Sequence, residues 1–210
     1  MSSAREQILA KVKAETGDAS LPDDLDTAFA KLIDQSDTRT SHQSLRQFEN
    51  VVAEFEERTT EVNTELHHCS KAELHSALVA LVGQANVYVA PSADIPTQGL
   101  NCIDDGRGVA DFALAMAEAA IAETGTVVVN SHNVPSDAMY LFDHLVIVLP
   151  VEHIVARFED YWQNYRPADE FTRAIHMISG PSRTADVEQI IQLGAHGPRR
   201  LSVIIVNQPG

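Results

Sequence analysis

Residues Ala119–Asn130 read AAIAETGTVVVN. Two apolar runs flank Glu123-Thr124-Gly125, and the gap leaves no room for a crossover helix. Parallel neighbours need a connection of a dozen or more residues, so these runs are expected to pair antiparallel across a tight turn. Elsewhere the chain alternates. HLVIVLP (His144–Pro150) is a short apolar run suited to a strand buried on both faces. NVYVAP (Asn86–Pro91) reads as a strand closed by proline, GLNCID (Gly99–Asp104) as a weak one, AIHMISG (Ala174–Gly180) as another and RLSVIIV (Arg200–Val206) as the last.

Helical patterns fall between them. KAELHSALVALVG places Leu74, Ala77, Leu78, Leu81 and Val82 on one stripe and stops at Gly83. Leu45, Phe48, Val52 and Phe55 form a second stripe, followed by FEERTTE as a solvated helix end and TEVNTEL (Thr60–Leu66) as a strand. RGVADFALAMAEA (Arg107–Ala119), VEHIVARFEDYWQNY (Val151–Tyr165) and TADVEQIIQLG (Thr184–Gly194) are expected as helices. The fold class is therefore α/β, with a mixed, mostly parallel sheet flanked by helices. Residues 1–40 carry Leu25, Ala28, Phe29, Leu32 and Ile33 at helical spacing and read as an N-terminal helical extension. A polar linker leads into the α/β domain, 41–210.

Composition narrows the function. The 210 residues hold 30 acidic against 15 basic side chains, a net charge of −15, which disfavours nucleic acid as a partner. No apolar run reaches the ~18–20 residues of a membrane span, and MSSAREQILAKVKAETG lacks the apolar core of a secretory signal. The expected location is cytoplasmic. Two cysteines, Cys69 and Cys102, cannot supply the four thiolates of an ordinary iron–sulfur cluster. GRGVAD, from Gly106, puts Asp111 where a dinucleotide-binding loop needs its third glycine, and no flavin or nicotinamide fingerprint occurs. HHCS with His75 offers soft ligands but reads as a polar loop, YWQNY as a packing face, and SHNVPSD (Ser131–Asp137) as a loop able to line a cleft.

The densest chemistry lies in ISGPSRTADVEQIIQLGAHGPRRLSVIIV, Ile178–Val206. Gly180-Pro181 is expected to turn the chain out of a strand, with Ser182 or Thr184 capping the helix that follows and Arg183 offering a planar fork to an anion. Asp186 falls in that helix's first turn. His196 sits between two glycines, before Arg199 and Arg200.

Together with AIAETGTVVV, these strings resemble the lactate-utilisation (LUD) family, and within it the protein C group, over roughly Ser44–Val206. The resemblance implies a fold of the ribose-phosphate isomerase/CoA-transferase kind. It implies a place in an L-lactate oxidation system beside iron–sulfur partner proteins, with no redox cofactor on this chain and no metal. Motif by motif it marks Glu123, Thr124 and Gly125, then Ser182, Arg183, Thr184 and Asp186 after the Gly180 turn, then His196, Gly197 and Arg199. In oxidation of a small carboxylate such as lactate, Arg183 or Arg199 would clamp the carboxylate. His196 would take the hydroxyl proton, and Glu123 would orient that histidine or replace it. The competing expectations are a free-standing enzyme acting on a CoA thioester, a sugar phosphate or an ATP-activated acid, with Glu123 as nucleophile, and a scaffold that binds only partners.

Overall fold

The computed structural model describes residues 48–91, 93–104, 110–131, 134–164, 173–185, 191–193 and 197–207, all within the unit Phe48–Gly210. The helical extension expected at 1–40 lies outside them. Asn50 starts the first helix, α1 (Val51–Glu61), by accepting from the Val52 and Ala53 amides at 3.1 Å each. FEERTTE is the body of this helix. Glu54, nearly buried, takes the Arg58 guanidinium at 3.0 Å, and Glu61 takes it at 3.2 Å. These pairs one turn apart extend the helix through the residues expected to open a strand. Asn63 then turns the chain at φ 62, and β1 begins only at Glu65 (Glu65–Ser70).

Six strands form one parallel sheet. They are β1, β2 (Asn86–Val89), β3 (Asn101–Cys102), β4 (Phe112–Met116), β7 (His144–Pro150) and β12 (Arg200–Asn207), in the order β1-β12-β7-β4-β2-β3. Buried residues of the central strands alternate between two cores. Leu145, Ile147, Leu149, Leu201, Val203 and Ile205 face one; Val146, Val148, Ile204 and Val206 face the other. The second core is closed by α2 (Leu74–Val82) through Leu74, Leu78 and Val82. β4 corrects the helix expected from Arg107: its alanines favour a helix, but pairing on both sides and burial of Ala113, Leu114 and Ala115 override that weak preference.

The first core is closed by α1 through Phe55 and by a second sheet, ordered β8-β5-β6-β9. β5 (Ala119–Ile121) and β6 (Thr126–Asn130) are the antiparallel pair expected from the Glu-Thr-Gly gap, joined by a 3-10 turn and a left-handed Gly125. β9 (Ile175–Ile178) adds antiparallel to β6, and β8 (Ile154–Val155) adds parallel to β5. The expected 151–165 helix is thus shorter: a turn, then β8, then α3 (Phe158–Asn164), whose Tyr161 covers the outer face of this sheet. No described helix is long and apolar enough to cross a membrane.

TADVEQIIQLG also departs from its helical period. Arg183–Ala185 (β10) pairs antiparallel with Ile191–Leu193 (β11), so Ser182 and Thr184 cap no helix at 183–185. The Ser182 amide instead donates to the Pro198 carbonyl at 2.9 Å, fixing the chain in an extended path at the point where a helix would have begun.

Two glycines meet α1 and the turn after it. A Cβ on Gly125 (φ +61) would lie 2.7 Å from the Thr59 amide nitrogen, and one on Gly180 (φ +88) 2.8 Å from the Val62 carbonyl oxygen. Gly125→Ala and Gly180→Ala should each destabilise the domain by about 2–5 kcal/mol, left-handed strain plus overpacking against backbone. Urea denaturation checks this; an unchanged midpoint for either would show that α1 does not seat against these turns.

Candidate functional site

Three sequence motifs far apart in the chain come together at this seat. The Thr124 and Thr126 hydroxyls are 2.7 Å apart, and Thr126 Oγ1 is 2.6 Å from Ser179 Oγ, which ties the Glu-Thr-Gly turn to the end of β9. Beyond Gly180, Arg183 Nη2 donates to the Val62 carbonyl at 2.7 Å. Ser182 then bonds Pro198, and Gly197 packs so close to Ser182 that an added Cβ would lie 3.1 Å from its Cβ. A cleft of about 330 Å³ opens beside this junction, lined by Ser179, Gly180, Ser182, Gly197 and Pro198 together with Tyr140 and His176.

His176 is held from both ring nitrogens. Nδ1 lies 3.0 Å from the Tyr140 hydroxyl and Nε2 lies 2.9 Å from Ser136 Oγ. Burial lowers its pKa below the usual imidazole value, so the ring is neutral near pH 7, with one nitrogen donating and the other accepting. Ser136 comes from the SHNVPSD loop. Sequence reading did not single out Tyr140 or His176: they lie 36 positions apart, and only the packing of β9 against the 136–139 turn joins them.

The expected site residues divide. Ser182, Gly180 and Gly197 line the cleft. Glu123 does not: its amide donates to the Ala156 carbonyl at 3.1 Å, and its Oε1 accepts from the Phe158 amide at 2.9 Å, clasping the start of α3. Arg183 braces Val62, and exposed Arg199 reaches Asp143 at 3.7 Å, a surface pair worth little. Asp186, His196 and the Thr184 side chain lie outside the described residues, although Gly197 next to His196 lines the cleft. Replacing Glu123 by Ala should loosen the start of α3 and cost about 1 kcal/mol. Hydrogen exchange at the Phe158 amide checks this, and unaltered protection would exclude the clasp.

Arg200, next to Arg199, anchors a network just after the third motif that is exposed at its Arg200–Glu65 end and buried at Ser202 and His144. It binds Glu65 through Nε and Nη2 at 2.8–3.0 Å. Burial raises the Glu65 pKa, but the Arg200 bonds and charge outweigh it, and the carboxyl ends below its usual range. Ser202 Oγ donates to Glu65 Oε2 at 3.1 Å, so its single proton is committed and it accepts from His144 Nε2 at 2.7 Å. Burial, then the Arg200 charge, lower the His144 pKa to about 4, with Glu65 opposing and His67 assisting. Neither thiol is activated. Burial raises the Cys69 pKa, with Glu73 adding, and burial raises that of Cys102, with Asp104 adding. No cluster of three or more His, Cys, Asp or Glu able to hold a metal occurs among the described residues.

The family model described as the LUD domain matches residues 101–206, half of the chain and every cleft residue. The chain belongs to the LUD-domain family. Its relatives include proteins called lactate utilization protein C. That of Deinococcus radiodurans is 29% identical over 170 residues, covering 74% of this chain and 79% of the relative. That of an Exiguobacterium species is 25% identical over 182 residues, covering 76% and 79%. A crystal structure of a DUF162-family protein from Deinococcus radiodurans aligns with TM-score 0.57 and 26% identity, over 74% of this chain and 96% of that one. The mostly parallel sheet with flanking helices is the architecture expected for the LUD domain.

His144 makes the domain's stability pH-dependent. Between its folded pKa of about 4 and its ordinary 6.5, the unfolded chain binds more protons than the folded one. Stability should therefore be full above pH ~6.5 and fall by up to about 3 kcal/mol toward pH 4. Urea midpoints followed from pH 7 down, compared with His144→Gln, test this; parallel profiles would exclude His144 as the source.

Proposed function

We propose that this LUD-domain chain is a component of an L-lactate oxidation system, that its cleft binds lactate or a similar small carboxylate, and that iron–sulfur partner proteins take the electrons. One observation carries the reading: residues of two family motifs, Gly180, Ser182 and Gly197, line one cleft, the Glu-Thr-Gly turn is tied to its edge through Thr126 and Ser179, and the same cleft holds a neutral histidine between two hydroxyls. Relatives called lactate utilization protein C support the substrate class.

Conversion of lactate to pyruvate releases two protons and two electrons. His176, neutral because burial disfavours its charged form, accepts the hydroxyl proton, and Tyr140 OH shares the hydrogen bond. His196, one residue from the cleft wall, is the second proton acceptor of this scheme. The Ser182 hydroxyl holds the carboxylate, with Thr184 and Arg199 as further candidates from the same motifs; Asp186, an acceptor, would take a hydrogen bond from the substrate hydroxyl instead. Iron–sulfur clusters on the partner proteins would take up the two electrons. Glu123 already accepts the Phe158 amide, and this weighs against its use as the nucleophile of a CoA-transferase.

The test is L-lactate oxidation with an artificial electron acceptor, run with the chain alone, the iron–sulfur proteins alone and the mixture. Activity should appear only in the mixture. His176→Gln should lower it about 100-fold, and Tyr140→Phe and His196→Ala by smaller factors. Oxidation indifferent to the presence of this chain would rule the reading out.

A further inference from the structure

The strand order defines a second place where a ligand belongs. From β2 the chain steps outward to β3, whereas from β4 it steps the opposite way to β7 and then β12. The order thus reverses between β2 and β4, and open α/β sheets bind ligands beyond the carboxyl ends of the strands at such a reversal. A cavity of about 100 Å³ lies at that edge, separate in its lining from the cleft of the motifs. Its floor is Leu74, Met116, Val148 and Val206. Its charged groups come from three strand ends: Lys71 just after β1, Asp94 from the loop after β2, and Glu152 from the turn after β7.

Size and charge together select the occupant. A cavity of ~150 Å³ holds benzene and drug-sized ligands need at least ~300 Å³, so this one suits a few heavy atoms and not a nucleotide or CoA. One ammonium against two carboxylates disfavours a simple anion. The described residues here lack the third carboxylate, histidine or thiol that a metal site needs. An apolar floor under charges of both signs fits a small molecule that carries both signs and an aliphatic group.

We propose that this carboxyl-edge cavity binds a small aliphatic α-amino acid. Its ammonium faces Asp94 and Glu152, its carboxylate faces Lys71, and its side chain rests on Met116, Val148 and Val206. The site is independent of the lactate reading and stands or falls separately.

Calorimetric titration of the full chain with L-valine, L-alanine and L-lactate tests it, because lactate is alanine with a hydroxyl in place of the ammonium. Alanine should saturate, and more tightly than the bulkier valine, and Asp94→Asn or Lys71→Ala should each weaken alanine about tenfold, as loss of one charge contact does. His176→Gln should leave amino-acid binding unchanged. No saturable amino-acid binding, binding indifferent to both substitutions, or equal competition by L-lactate would each overturn the assignment.

Discussion

The site depends on where α1 ends. Its last turns and Val62 present bare backbone at two points, and the chain meets each with a left-handed glycine, Gly125 at Arg58–Thr59 and Gly180 at Val62. Neither glycine has a side chain to hold the backbones apart. The Glu-Thr-Gly turn and the Gly-Pro-Ser-Arg turn are thereby fixed against the same short stretch of helix end. The hydroxyl ladder Thr124–Thr126–Ser179 and the Arg183–Val62 bond then lock the relative position that the glycines permit. Thr126, the buried middle hydroxyl, would be costly to leave unpartnered, so the ladder favours the arrangement that brings Ser179 to it.

The arginines of the motifs work chiefly as struts. Arg183 spends a donor on a carbonyl across the turn, and Arg200 holds Glu65 with three short contacts across the β1–β12 pair. Arg200 is therefore the residue that fixes where β12 begins, and the loop carrying Gly197 and Pro198 is attached directly to it. Through Ser202 the same network reaches His144 on β7, so three neighbouring strands are tied at one end of the parallel sheet.

What could be read from sequence was whatever the chain states locally. The Glu-Thr-Gly gap dictates an antiparallel pair because no longer connection fits, and HLVIVLP and RLSVIIV are too uniformly apolar to sit anywhere but the sheet centre. What escaped was decided by partners distant in sequence. β4 is alanine-rich, and only strands on both sides make it extended. TADVEQIIQLG has a helical period, yet its ends pair across a hairpin because Ser182 is already committed to Pro198. The strings around the cleft were legible as motifs, but their division of labour was not. Glu123, Arg183 and Arg199 carry the charges that chemistry suggests, and the fold uses the first two as clasps and leaves the third at the surface.

That division has a chemical consequence. The described lining of the cleft contains hydroxyls, backbone, one imidazole and the apolar side chains of Met139, Ile175, Met177 and Ile178, with no charged side chain among them. Hydroxyl and backbone N–H donors form charge-assisted hydrogen bonds with any ionised acceptor, and no carboxylate among the described lining residues stands beside the His176 ring to raise its pKa. A neutral histidine is what proton abstraction from a hydroxyl requires. The described lining of the cleft adds no negative charge to a chain of net charge −15, so an anion there meets less repulsion than it would beside the chain's acidic surface.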